Sequence, residues 1–232
     1  MREFLFNPKG LSVKGFSKFD LHTQSKYSFD CITSPARLAE AALKKGFRGI
    51  ALTDHDSFNG VKEMRVEARK RGLIFVPGME VTTEKGHVLC LFIQEKINAS
   101  EFWDVADEVE GQGGIASFAH PFRKRDPDVF LDCVEAANGR TGFDENKAAA
   151  AMAEKKKLAF TAGSDSHWTR EIGRAFLLAD AEDAEGLRKA ILKRNCAAFF
   201  KESHPWEVKL MHNASRAVKY SQKALRKLGW RG

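Results

Sequence analysis

Residues 48–60 read RGIALTDHDSFNG, an apolar run that stops abruptly at an acid, a histidine and a second acid. The run has too few polar residues for a strand with one wet face, so it predicts a strand covered on both sides, as in a parallel sheet. Directly after it, NGVKEMRVEARKRG (59–72) has the spacing of a helix and closes at Gly72. The same alternation runs outward in both directions. KFDLH (18–22), LIFVPGME (73–80), HVLCLFI (87–93), IASFAH (115–120), LDCVEAAN (131–138) and LAFTAGSD (158–165) read as strands. SPARLAEAALKKGF (34–47) reads as a helix capped by Ser34 with Pro35 at its first position. Helices are also predicted over 99–114, 144–157 and 183–195. Seven such strands in about 200 residues point to a small β/α barrel more than to an open doubly wound sheet. No Gly-rich dinucleotide fingerprint follows the first strand, and no phosphate-binding loop of the Walker type occurs.

The chain has 232 residues, 43% hydrophobic and 30% charged, the balance of an ordinary globular protein. No apolar run approaches the roughly 20 residues that cross a bilayer. The opening segment MREFLFNPKG has only a three-residue apolar patch and does not read as a secretory leader. Cys31, Cys90, Cys133 and Cys196 lack paired spacing, which argues against a disulfide framework or a cysteine zinc site and fits the cytoplasm. The net charge of +7 is concentrated at one end, because residues 201–232 carry eight basic and two acidic side chains. We therefore divide the chain into a domain over 1–200 and a basic, helical tail over 201–232. In the tail, Met211, Ala214, Val218, Leu225 and Leu228 recur near helical spacing. That helix either packs on the domain with a solvated basic face or meets a polyanion such as nucleic acid.

Five of the seven histidines stand at the edge of an apolar run: His22, His55, His87, His120 and His167. Glu80 and Asp165 occupy equivalent places. In a barrel the carboxyl ends of the strands converge on one face, so these distant residues can meet there. His87 begins its strand and joins them only if that strand runs antiparallel or returns by a hairpin. Imidazoles and carboxylates together are ligands for zinc, manganese or iron, with Glu80 as a candidate bridge between cations. His204 and His212, in the tail, share no such pattern and are expected at the surface.

The segments DLHTQSKYSFD (20–30), ALTDHDSFNG (51–60), VPGMEVTTEKGHVLCLF (76–92), QGGIASFAHPF (112–122) and GSDSHWTREIG (163–173) resemble, in order, those of the PHP (polymerase and histidinol phosphatase) family of metal-dependent phosphoesterases. The resemblance implies an irregular seven-stranded β/α (TIM-like) barrel holding two or three divalent metals. It implies His22, Glu80 and Asp165 as ligands of one metal, with Gln24 where the family normally has a further histidine. Glu80, His87 and His120 would hold a second metal, and Asp30, His55 and His167 a third. A glutamine oxygen is neutral and a weaker ligand than imidazole, so the first position would be weakly held or take a harder ion.

A hydroxide activated by two cations would then attack phosphorus in line with the leaving oxygen. Arg123, Arg140 and Arg170 are candidates to hold substrate phosphate, since the guanidinium fork matches two phosphate oxygens. RKRDPD (123–128) equally suits a solvated loop. Asp54 and Asp56 flank His55 and would either orient an imidazole or transfer a proton. The expected substrate is a small phosphorylated molecule, a nucleotide or nucleoside bisphosphate. The alternatives are an exonuclease on short RNA or DNA that uses the basic tail, and a non-catalytic metal-binding protein on the same scaffold.

Overall fold

A computed structural model of the chain describes residues 1–123, 131–203 and 205–227. Ten strands form one curled sheet, and six helices accompany it. The strands are β1 (Glu3–Phe6), β2 (Ser17–Asp20), β3 (Phe47–Leu52), β4 (Ile74–Thr83), β5 (Gly86–Leu91), β6 (Ile115–Phe118), β7 (Cys133–Asn138), β8 (Ala159–Gly163), β9 (Ala175–Ala179) and β10 (Cys196–Lys201). Their order across the sheet is β1-β10-β9-β2-β3-β4-β5-β6-β7-β8. The helices are α1 (Pro35–Lys44), α2 (Val61–Lys70), α3 (Phe102–Gly111), α4 (Phe143–Lys155), α5 (Ala184–Leu192) and α6 (Pro205–Lys227).

The seven strands read from the sequence are β2 to β8. Three more, β1, β9 and β10, extend the sheet beyond β2 through antiparallel pairs. The seven-stranded barrel therefore gives way to a ten-stranded curled sheet. Its far end does return to β2: Leu21 N–H donates to Ala162 O at 3.2 Å, Gln24 N–H donates to Ser166 O at 2.8 Å, and Thr23 bridges Ser166. These contacts lie beyond any ladder. Gly163 permits the approach, because a Cβ there would stand only 2.3 Å from His22 Cβ.

Pairing is parallel for β2-β3-β4 and β6-β7-β8, whereas β5 runs antiparallel to both of its neighbours. The β4–β5 hairpin resolves the position of His87, since its first residues return to the rim where Glu80 stands. Helix α1 starts where the sequence places it, with the Ser34 side chain accepting from the Arg37 N–H. It buries Leu38, Ala39 and Ala42, one face of a turn, over Phe47 and Ile50. The larger core joins Phe19, Leu89, Phe102, Phe160 and Phe200 beneath the sheet. No helix among the described residues is long and apolar enough to cross a membrane.

Candidate metal centre

Glu80 is the centre of the site. It sits in β4, fully buried, and each of its carboxylate oxygens faces two imidazoles. Oε1 lies 2.8 Å from His87 Nδ1 and 3.1 Å from His120 Nε2. Oε2 lies 3.1 Å from His22 Nε2 and 3.2 Å from His55 Nδ1. Bonds of about 2.1 Å at near-tetrahedral angles put donor atoms about 3.4 Å apart, so these hydrogen-bonded contacts would open by a few tenths of an ångström to admit an ion. A carboxylate with two imidazoles on each oxygen has the form of a bridge between two cations.

Beside it, Asp30 Oδ2 lies 2.9 Å from His167 Nε2 and 3.8 Å from His55 Nε2. Two ligand groups therefore share one imidazole: Asp30, His55 and His167, and His55, Glu80 and His87. Asp165 Oδ1 joins the cluster 3.6 Å from His22 Nε2 and 3.8 Å from His167 Nδ1. His22, His55, His120 and Asp165 follow β2, β3, β6 and β8, whereas Glu80 lies inside β4, three residues before its end, and His87 stands at the start of β5. Two of them, His120 and Asp165, carry positive φ angles of 30° and 52°. Non-glycine residues reach that region at a cost, and it aims both side chains inward off their strands.

The electrostatics suit cations. Burial alone would push the Glu80 carboxyl up, but His55, His22 and His87 hold it well below the usual range. Burial opposes ionisation of Asp165 too, yet His22, Arg123 and His167 keep it low. Burial pulls the His55 and His120 imidazoles down, which favours their neutral, metal-binding form. His22 goes the other way, because the carboxylates of Glu135, Glu80 and Asp165 outweigh its burial and raise it. His55 Nδ1 is buried and, despite its nearness to Glu80, makes no hydrogen bond among the described residues. A buried nitrogen lone pair without a donor is what a metal ligand looks like before its ion arrives. The residues present thus fit zinc, manganese or iron.

Gln24 takes a different part from the neutral oxygen ligand expected of it. Its Oε1 accepts the His55 N–H at 3.1 Å, and its Nε2 donates to Glu80 Oε2 at 2.7 Å. The amide thereby clamps two ligands together. Asp54 is buried beneath the site, where the Ser25 hydroxyl donates to it at 2.8 Å, and burial pushes its carboxyl up to about 7. Asp56 accepts from the Thr82 N–H at 2.9 Å and the Thr82 hydroxyl at 3.2 Å. Neither acid lines the cavity over the cluster, which measures about 680 Å³.

Of the three arginines, Arg123 reaches the cluster, with Nη2 3.0 Å from Asp165 Oδ2. Arg140 also lines the cavity, but its Nε donates to Glu171 at 3.0 Å and its Nη2 to Ser215 at 3.0 Å. Arg170 is exposed and is not brought to the cavity. The rest of RKRDPD, residues 124–128, lies outside the described residues, as do His204 and the side chains of Met211, His212, Leu225 and Leu228.

Three buried residues that sequence reasoning passed over complete the site. Glu135, inside β7, accepts from His22 Nδ1 at 2.9 Å with one oxygen and from the His120 N–H at 2.9 Å with the other. Asn138 donates to Glu135 at 3.0 Å. Glu171 Oε2 accepts the N–H groups of His167 and Trp168 at 2.9 and 2.8 Å. The signal for Glu135 was a lone acid within the apolar strand CVEAAN, where an unpaired charge would be costly.

Family models and known relatives bear on the chain as a whole. The PHP domain model matches residues 20–145, more than half the chain, and the PHP-associated model matches residues 143–196. An uncharacterised protein of Methanocaldococcus jannaschii is 30% identical over 149 residues, which are 56% of this chain and 87% of that protein. A 5'-3' exoribonuclease of Haemophilus influenzae is 36% identical over 66 residues, 28% of this chain and 24% of the enzyme. Among solved structures, a two-domain protein of Bacteroides vulgatus containing a predicted PHP-like metal-dependent phosphoesterase superposes with a TM-score of 0.69 at 22% identity, covering 82% of this chain and 67% of that one. The chain belongs to the PHP domain family.

Proposed function

We propose that the chain is a metal-dependent hydrolase of phosphate esters, acting on a small phosphorylated substrate, a nucleotide or nucleoside bisphosphate. The observation that carries this reading is Glu80, with two imidazoles at each oxygen, beside an arginine in one cavity. Divalent ions held by these imidazoles and carboxylates would supply an activated water and neutralise charge developing on the phosphoryl oxygens. Glu80 holds its four imidazoles in register, and Asp30 does the same for His167. Arg123, next to Asp165, supplies a guanidinium fork for a phosphoryl oxygen entering the cluster. Gln24 and Glu135 keep the ring orientations fixed, so that little reorganisation accompanies the reaction. None of the four cysteines forms a disulfide and all are buried, which supports a reducing compartment such as the cytoplasm.

The test is a panel of phosphomonoesters and diesters assayed before chelation, after it, and after manganese or zinc is restored. Hydrolysis that is lost and regained is the expected result, and a full panel without turnover would refute the reading. A second reading, an exonuclease on short RNA or DNA, is favoured by the basic residues of α6 that border the same cavity. Cleavage of oligonucleotides in preference to small esters would select it.

A further inference from the structure

We infer that helix α6 is a wall of the substrate cavity and that Arg216 and Lys219 hold a second phosphate of the substrate, apart from the phosphoryl group at the metal cluster. This rests on the phosphoesterase reading and deepens it. Ser215, Arg216 and Lys219 border the 680 Å³ cavity together with Asp30, His55 and His167. Arg216 and Lys219 are three residues apart on a helix, so they share a face. Both are exposed, and neither forms an ion pair among the described residues. Within α6, Glu207 is the one acid against six basic side chains.

The helix is held against the site by specific contacts. Ser215 is buried and accepts from Arg140 Nη2 at 3.0 Å; Arg140 Nε donates to Glu171, which in turn fixes the backbone of His167. Nearer the helix start, Arg174 Nη2 lies 3.4 Å from Glu207 Oε2. Lys219 Nζ lies 4.5 Å from the centre of the Phe29 ring, and that ring stacks on His55 at 4.8 Å and 14°. The Lys219 ammonium is therefore separated from a metal ligand by the contacts of a single aromatic ring. The cluster itself presents carboxylates balanced by imidazoles, whereas the α6 rim presents Arg216 and Lys219, which have no carboxylate partner among the described residues. A rim of that kind, bordering a cavity whose other side binds a phosphoryl group, fits a substrate with a second anionic group.

The experiment measures binding by calorimetry to the manganese-loaded full chain, using a nucleoside bisphosphate, the matching monophosphate and a 5'-phosphorylated oligonucleotide as probes. Wild type is compared with Arg216→Gln and with Arg216→Gln/Lys219→Gln, which keep side-chain bulk and remove charge. Losing charge-assisted contacts should reduce the preference for bisphosphate over monophosphate by about tenfold or more. The single variant should fall between. An unchanged preference overturns the inference. A larger loss for the oligonucleotide than for the bisphosphate also overturns it, in favour of a strand-binding helix. Turnover is scored separately: a preserved binding preference without hydrolysis would sink the enzymatic reading and leave the second phosphate site standing.

Discussion

Glu135 Oε1 lies 2.9 Å from His22 Nδ1, and both side chains are completely shielded from solvent. The bond fixes which ring nitrogen carries the proton and directs Nε2 of His22 at Glu80. Replacement by glutamine keeps the shape and removes the charge that anchors the ring. Glu135→Gln should weaken metal binding by roughly 10–100-fold, the range for partners of ligating histidines. Titration with a competing chelator reads this directly. Wild-type affinity in Glu135→Gln would show that His22 needs no such anchor.

Gln24 links the His55 backbone to the Glu80 carboxylate. Gln24→Ala removes two hydrogen bonds but leaves Glu80 Oε2 with His22 Nε2 at 3.1 Å and the His55 N–H with Ser28 Oγ at 3.4 Å, so it should destabilise the protein by about 1 kcal/mol in urea unfolding. Gln24→His places a further imidazole beside Glu80 and should raise metal retention during dialysis. An alanine variant as stable as wild type would contradict the clamp.

Arg140 and Glu171 form a pair 3.0 Å apart, with side-chain exposures of 5% and 0%. Removing one member of such a pair strands a buried charge. Arg140→Ala should therefore lower unfolding stability by roughly 3–5 kcal/mol, in addition to any effect on activity. A variant that loses phosphate affinity at unchanged stability would mean that Arg140 serves the ligand and not the frame.

All four cysteines are buried, and burial pushes the Cys31 and Cys133 thiols up to about 12. A raised thiol pKa leaves little thiolate at pH 8, so a disulfide reagent should find close to no reactive thiol in the native protein and four after denaturation. Rapid labelling of two or more thiols in the folded chain would contradict the packing of β5, β7 and β10.

Most of the candidate cluster was legible because its imidazoles and carboxylates punctuate apolar strands. His22, His55, Glu80, His120, Asp165 and His167 all interrupt or end a hydrophobic run, and a parallel arrangement brings such ends together. Strands β1, β9 and β10 were not legible. EFLF and AFLLA are only four and five residues long, and β1 pairs with β10 and β9 with β2 across more than 150 residues of chain. The acids Asp54 and Asp56 stand beside His55 in the chain, but proximity in sequence does not tell which way a carboxylate turns. Arg140 needed knowledge of Ser215, 75 residues away, and Glu135 of His22, 113 residues away. Contacts of that separation are set by how the sheet curls, which local pattern does not encode.

The central claim is that Glu80 and the imidazoles around its two oxygens would hold the divalent ions of the site. Elemental analysis of the purified chain and of Glu80→Ala, both refolded or dialysed against manganese and zinc without chelator, tests it most directly. Wild type should retain about two or more divalent ions per chain, because Glu80 presents two imidazoles at each carboxylate oxygen, and Glu80→Ala should retain one or none. A wild type without metal, or a variant with the same stoichiometry as wild type, would contradict the account.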